Sequence, residues 1–143
     1  MFQVTKRYQF AASHRLHSQE LSEEENRTLY GKCNHPYGHG HNYTVEVSAR
    51  GPLDVNGRAV DLALLDELVR RHVLTPFDHR NLNTEVERFA QEVPTSENLA
   101  REICRRLKRN WKMVFPGEWP KLERIRIGET RKNTFEIGAD EIE

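Results

Sequence analysis

Residues 33–50 read CNHPYGHGHNYTVEVSAR. The second half alternates: Tyr43, Val45, Val47 and Ala49 are apolar or aromatic, with Thr44, Glu46, Ser48 and Arg50 between them. Successive side chains on a strand point to opposite faces, so this period of two marks a strand with one face toward a core. Gly51-Pro52 ends it. The first half is built otherwise: Cys33, His35, His39 and His41 lie among Pro36, Gly38 and Gly40. If the strand already begins at His39, then His39 and His41 share the face of Tyr43 and Val45, shielded from water.

Upstream, Phe2, Val4, Tyr8, Phe10 and Ala12 fall at even positions, with only Lys6 out of pattern. That predicts a first strand, and His14 continues its parity. Ser22 followed by Glu25 has capping-box spacing, so a short helix starts there. Downstream, Asn56-Gly57 marks a turn and Asp61 a helix N-cap. Leu62, Leu65, Val69 and Val73 follow at helical spacing, with Leu64 and Leu68 widening the stripe and Pro76 closing it. FDHRNLN reads as a polar loop. A second helix starts near Thr95 or Ser96, with Leu99, Ile103, Leu107 and Trp111 on one face. Leu122, Ile125 and Ile127 mark a third strand running to Thr130; Phe135 and Ile137 mark a fourth, after a tight turn through Arg131-Lys132. The order β-β-α-α-β-β predicts an α+β domain, antiparallel hairpins with both helices on one sheet face. Its open edges invite another subunit.

With 143 residues, the chain suits one domain over 1–143. Lys plus Arg and Asp plus Glu both total 22, so no overall basic field points to a nucleic-acid partner. RRHVL and RRLKRN are locally basic and read as solvated helix faces. No apolar run has membrane length, and MFQVTKRYQF lacks the apolar core of a signal peptide, so a soluble cytoplasmic protein is expected. Cys33 and Cys104 are expected as free thiols.

Two imidazoles two residues apart can share one ion. His14 is the best third ligand, because the first strand should lie beside the second. Three histidines with an open position suit a catalytic zinc better than a structural one. The plainer alternative is strand-end histidines that hydrogen-bond locally. His17 has the opposite parity and His35 precedes Pro36, so both rank behind. Cys33 is either a thiol activated by a nearby cation or a small buried hydrophobe; Cys104, on an apolar helix face, fits the latter. Asp78-His79 is either a proton relay or a turn aspartate capping local amides. Glu129 shares the parity of Ile125 and Ile127, and a carboxylate on a buried face needs a partner. Glu97, at a helix N-terminus, suits the macrodipole.

Taken together, FAASHRL, LSEEEN, GKCNHPYGHGHNY, FDHRNLN, PTSENLA and GET resemble the 6-pyruvoyltetrahydropterin synthase family, including its bacterial 6-carboxytetrahydropterin synthase relatives. They occur in the family's order from about Phe10 to Thr130. The resemblance implies a T-fold: a four-stranded antiparallel sheet with two helices on one face, its subunits joined edge to edge in trimeric barrels that stack into a homohexamer. It implies 7,8-dihydroneopterin triphosphate as substrate and loss of triphosphate. It also implies zinc held by His14, His39 and His41, and Cys33 as general base with Asp78 and His79 as relay. Glu129 would bind the pterin, with Thr95, Ser96 and Glu97 contributing to its pocket. The Cys33-x5-His39-x-His41 spacing resembles the pyruvoyl enzymes, whereas carboxy-forming enzymes commonly show Cys-x3-His-x-His. Two alternatives stand beside this: 6-carboxytetrahydropterin synthesis with release of acetaldehyde, in queuosine formation, and a non-catalytic pterin- or metal-binding module.

Overall fold

A computed structural model of the protein describes residues 1–129 and 131–142. Two long strands, β1 (Phe2–His14) and β2 (His39–Gly51), pair antiparallel without interruption from Phe2 opposite Gly51 to His14 opposite His39. This register places His41 across from Ala12. Between them lie α1 (Glu23–Tyr30) and a 3-10 turn, Gly31–Asn34. The predicted capping box is closed: the Ser22 hydroxyl accepts from the Glu25 amide and the Glu25 carboxylate from the Ser22 amide, both at 3.0 Å.

After β2 come α2 (Leu62–Val69), a π-helical turn (Arg70–Leu74) and α3 (Thr75–Phe77). The chain continues through β3 (Arg80–Asn81), α4 (Leu82–Glu85), a 3-10 turn (Glu87–Ala90) and α5 (Ser96–Val114). It closes with β4 (Lys121–Gly128) and β5 (Thr134–Gly138). Thr130, the expected end of the third strand, lies outside the described residues. Asp61 and Thr95 cap α2 and α5 as their sequence positions predict.

The even residues of β1, the odd residues of β2 and, past a register shift between Ser48 and Ala49, Ile125 and Ile127 of β4 face the helices. Phe10, Tyr43, Val45, Val47, Ile125 and Ile127 are buried there against Leu65, Leu68, Leu99, Ile103 and Leu107. Each aliphatic side chain so buried contributes about 1.5–3 kcal/mol. Lys6, the one break in the parity of β1, is accommodated by Asp66 of α2 at 2.7 Å. The opposite face carries a charge ladder: Arg7–Glu46 at 3.0 Å, Glu46–Arg126 at 3.5 Å and Arg126–Glu136 at 3.4 Å.

The sheet departs from the expected four antiparallel strands. Among the described residues it has five, in the order β3-β1-β2-β4-β5, and β3 runs parallel to β1 beside Ala12 and Ser13. Two residues are too few to show a period, so this strand was hidden in the polar FDHRNLN segment. The helix after Asp61 also passes Pro76 and ends at Phe77. A proline ring collides with the carbonyl four residues back in a regular helix, and the widened π turn just ahead accommodates it. No helix among the described residues is long and apolar enough to cross a membrane.

Candidate functional site

Full pairing of β1 with β2 brings His14 and His41 together at one end of the core, their ring centroids 4.6 Å apart. His14 is completely buried. Its Nδ1 lies 2.9 Å from the Pro94 carbonyl oxygen, which can only accept, so Nδ1 carries the proton. The Tyr43 hydroxyl is 3.1 Å from the same nitrogen. Nε2 therefore holds the lone pair, and it is buried with no hydrogen-bond partner among the described residues. Leaving such a group unpaired costs about 1–3 kcal/mol. An imidazole fixed through one nitrogen by a carbonyl, with the other free, is how metal-binding histidines are held. Burial, and then the neighbouring His41, lower the His14 pKa to about 4, so the ring is neutral and its lone pair available at neutral pH.

The Nε2 of His41 faces Glu129 Oε1 at 3.0 Å and Cys33 Sγ at 3.6 Å. Ser96, in the first turn of α5, donates to the other Glu129 oxygen at 2.7 Å. One donor atom each from His14, Cys33, His41 and Glu129 all fall within 4.8 Å of one another. Nitrogen, sulfur and carboxylate donors at that separation fit a zinc ion. His39 is exposed and lies beside this compact group, its ring 4.7 Å from that of His41. Burial, and then Glu129, push the Cys33 thiol up. A bound cation would act in the opposite sense and favour the thiolate. Burial also lowers His41.

The surrounding loops are fastened to the end of β1. The Leu16 amide donates to the Cys33 carbonyl at 2.7 Å, which sets the thiol-bearing turn against it. Gly38 has φ +81°, and a Cβ there would sit 2.8 Å from the His14 carbonyl oxygen, so glycine is required on both counts. Gly40 faces open space and carries no such requirement.

Asp78 and His79 lie on the other side of β1. Asp78 accepts from the Ala11 amide at 2.9 Å and contacts His79 Nδ1 at 3.1 Å. The Ala11 amide holds the Asp78 carboxyl below its usual range. His79, at φ 59°, donates its own amide to the Ala11 carbonyl. No hydrogen bond joins either residue to Cys33 among the described residues; β1 stands between them and β2. Of the three residues expected near the pterin, Ser96 reaches Glu129, Thr95 serves as N-cap by accepting from Asn98, and Glu97 is exposed.

Sequence reading missed three contributors. Tyr43 shares the parity of His41 and could have been found by extending that face. The Pro94 carbonyl carries no side-chain signal. Asn83, whose amide side chain bonds both the N–H and the carbonyl of Arg15, gives none before β3 is known.

The model of a family described as 6-pyruvoyl tetrahydropterin synthase matches residues 3–140. A relative from Poecilia reticulata, 6-pyruvoyl tetrahydrobiopterin synthase, is 46% identical over 91% of this chain and 85% of its own length. The Homo sapiens protein of the same name is also 46% identical, over 92% of this chain and 87% of its own. The solved structure of Caenorhabditis elegans 6-pyruvoyl tetrahydropterin synthase superposes with a TM-score of 0.84 at 41% identity, covering 96% of this chain and 94% of that one. Likeness at this identity spans both long strands, the linked loops and the site they build, and on these grounds the chain belongs to the 6-pyruvoyl tetrahydropterin synthase family.

Proposed function

We propose that the protein is a zinc-dependent lyase converting 7,8-dihydroneopterin triphosphate to 6-pyruvoyltetrahydropterin with loss of triphosphate. The observation that carries this reading is the Nε2 of buried His14, without a partner among the described residues and set beside His41 with a thiol and a carboxylate in reach. Family membership supports the substrate class.

Zinc would be held by His14, His39 and His41; when bound, it supplies Lewis-acid polarisation of the substrate's side-chain hydroxyls and so acidifies the adjacent C–H bonds. Cys33 takes a proton from the side-chain carbon as general base, and its place beside His41 supports that role. Glu129 accepts hydrogen bonds from the pterin N–H and amino groups, a donor edge that matches a carboxylate. Ser96 steadies the second oxygen of that carboxylate. The His41–Glu129 contact must open for both residues to take these roles, since one nitrogen and one oxygen are each engaged in it. Thr95 fixes the N-terminus of α5, and Glu97 completes the pterin pocket from its exposed position. Asp78 and His79 act as relay partners of Cys33, and the subunits join edge to edge as a homohexamer.

The test is to incubate zinc-loaded protein with dihydroneopterin triphosphate and identify products by mass spectrometry. A 6-pyruvoyl product without acetaldehyde supports the proposal. Acetaldehyde with a 6-carboxypterin moves the protein to carboxytetrahydropterin synthesis. Binding with no release of triphosphate makes it a non-catalytic module.

A further inference from the structure

We infer that the cavity between the end of β1, α1 and the Gly31–Asn34 turn is an oligophosphate subsite that holds the substrate's triphosphate, an inference that rests on the lyase reading above. The cavity has a volume of about 650 Å³, and its walls include Arg15, His17, Arg27, Lys32, His35 and His39. It gathers three cationic side chains against one carboxylate, Glu23, in a chain whose formal charges cancel.

Those cations are poorly neutralised. Arg15 donates its Nε to the Asn34 carbonyl oxygen at 3.1 Å, a neutral partner that aims the guanidinium without cancelling its charge. Lys32 forms no ion pair among the described residues. Among the described residues Arg27 pairs with Glu23 alone, at 4.0 Å with both side chains largely exposed, a pairing worth little in water. The Asn34 side-chain N–H₂ lies 3.1 Å from His17 Nδ1 and can only donate, so His17 carries a proton on Nε2 and adds a donor.

Position favours the same cavity. Glu129 contacts His41, the His41 ring lies beside that of His39, and His39 forms part of the cavity wall. That sequence of groups matches the substrate's own order of pterin, hydroxylated side chain and phosphates. A rival cavity of about 390 Å³ also reaches Glu129 and is lined by Arg7, Arg126 and Arg131. There Arg7 and Arg126 already pair with Glu46 and Glu136. An oligophosphate would have to break that ladder to recruit them.

The experiment titrates inorganic triphosphate into metal-free protein by calorimetry, comparing wild type with Lys32→Glu, Arg27→Glu and, for the rival cavity, Arg7→Gln. Triphosphate affinity is expected to fall about tenfold or more in Lys32→Glu, less in Arg27→Glu, and not in Arg7→Gln. Zinc-loaded Lys32→Glu should bind unphosphorylated dihydroneopterin like wild type, while its KM for the triphosphate substrate rises and kcat holds. Undiminished triphosphate affinity in Lys32→Glu, or loss confined to Arg7→Gln, would overturn the assignment. So would loss of unphosphorylated dihydroneopterin binding in Lys32→Glu, which would show the residue acting through the fold. Lys32-dependent triphosphate binding in a wild-type protein that neither binds dihydroneopterin nor releases triphosphate would leave the subsite standing and remove the lyase reading.

Discussion

Two polar clusters sit on the helix-facing side of this sheet, one near the start of β1 and one at its end. In the first, Asp66 receives Lys6 at 2.7 Å on one oxygen and the Tyr8 hydroxyl at 2.8 Å on the other. In the second, Glu129 and Cys33 contact His41 and Ser96 holds Glu129, yet His14 Nε2 is left with no partner among the described residues. The first cluster closes on itself and needs nothing more. Nothing among the described residues satisfies the second. Buried polar groups are almost always paired, so the difference separates a fastening from a binding site.

Four experiments test that contrast, in order of expected effect. His14→Ala should take bound zinc from stoichiometric to trace by elemental analysis and lower turnover by about 10³ or more; retention of zinc would remove the second cluster's claim to be a metal site. Cys33→Ala should lower turnover by about 10²–10⁴ while zinc stays bound. Loss of zinc in that variant would make Cys33 a ligand, and parallel zinc analysis of His39→Ala would show which of the two completes the set.

The third concerns acid. Because the His14 pKa is depressed from 6.5 to about 4 in the fold, the unfolded chain binds the extra proton first. For metal-free protein this stability is fully present above pH 6.5 and is lost progressively as pH falls toward 4, by an amount on the order of 3 kcal/mol. Urea unfolding across that window measures it, and His14→Gln should flatten the dependence. The smallest effect belongs to the closed cluster: Asp66→Asn should cost about 0–1 kcal/mol in a melting experiment and leave zinc content and turnover unchanged, since its side chains are partly exposed.

Much of this was legible in the sequence because strand parity carries it. The alternation through Tyr43, Val45 and Val47 identified the core face, and extending it placed His14 and His41 together. The one exception, Lys6, could not be interpreted without knowing that Asp66 crosses over it. Pro76 marked the helix end to within one residue, at Phe77, but the π turn before it has no sequence period of its own. β3 was hidden for the related reason that two residues cannot alternate. At the site, Ser96 and Glu129 are far apart in sequence, and only the meeting of α5 with β4 shows that one holds the other. The Pro94 carbonyl, which orients His14, belongs to the backbone and leaves no trace in residue type.

The segment 78–83 flanks β1 with side chains as well as with a strand. The Ala11 amide is bound by the Asp78 carboxylate and the Arg15 amide by the Asn83 side chain, at 2.9 and 2.7 Å. These two amides bracket His14 without relying on a neighbouring strand's carbonyls. Their exchange with deuterated solvent therefore reports how often that segment lifts away, separately from the opening of the sheet itself. Were the segment to breathe, the two amides would exchange together, and the histidine between them would lose its fixed position while the core strands stayed closed.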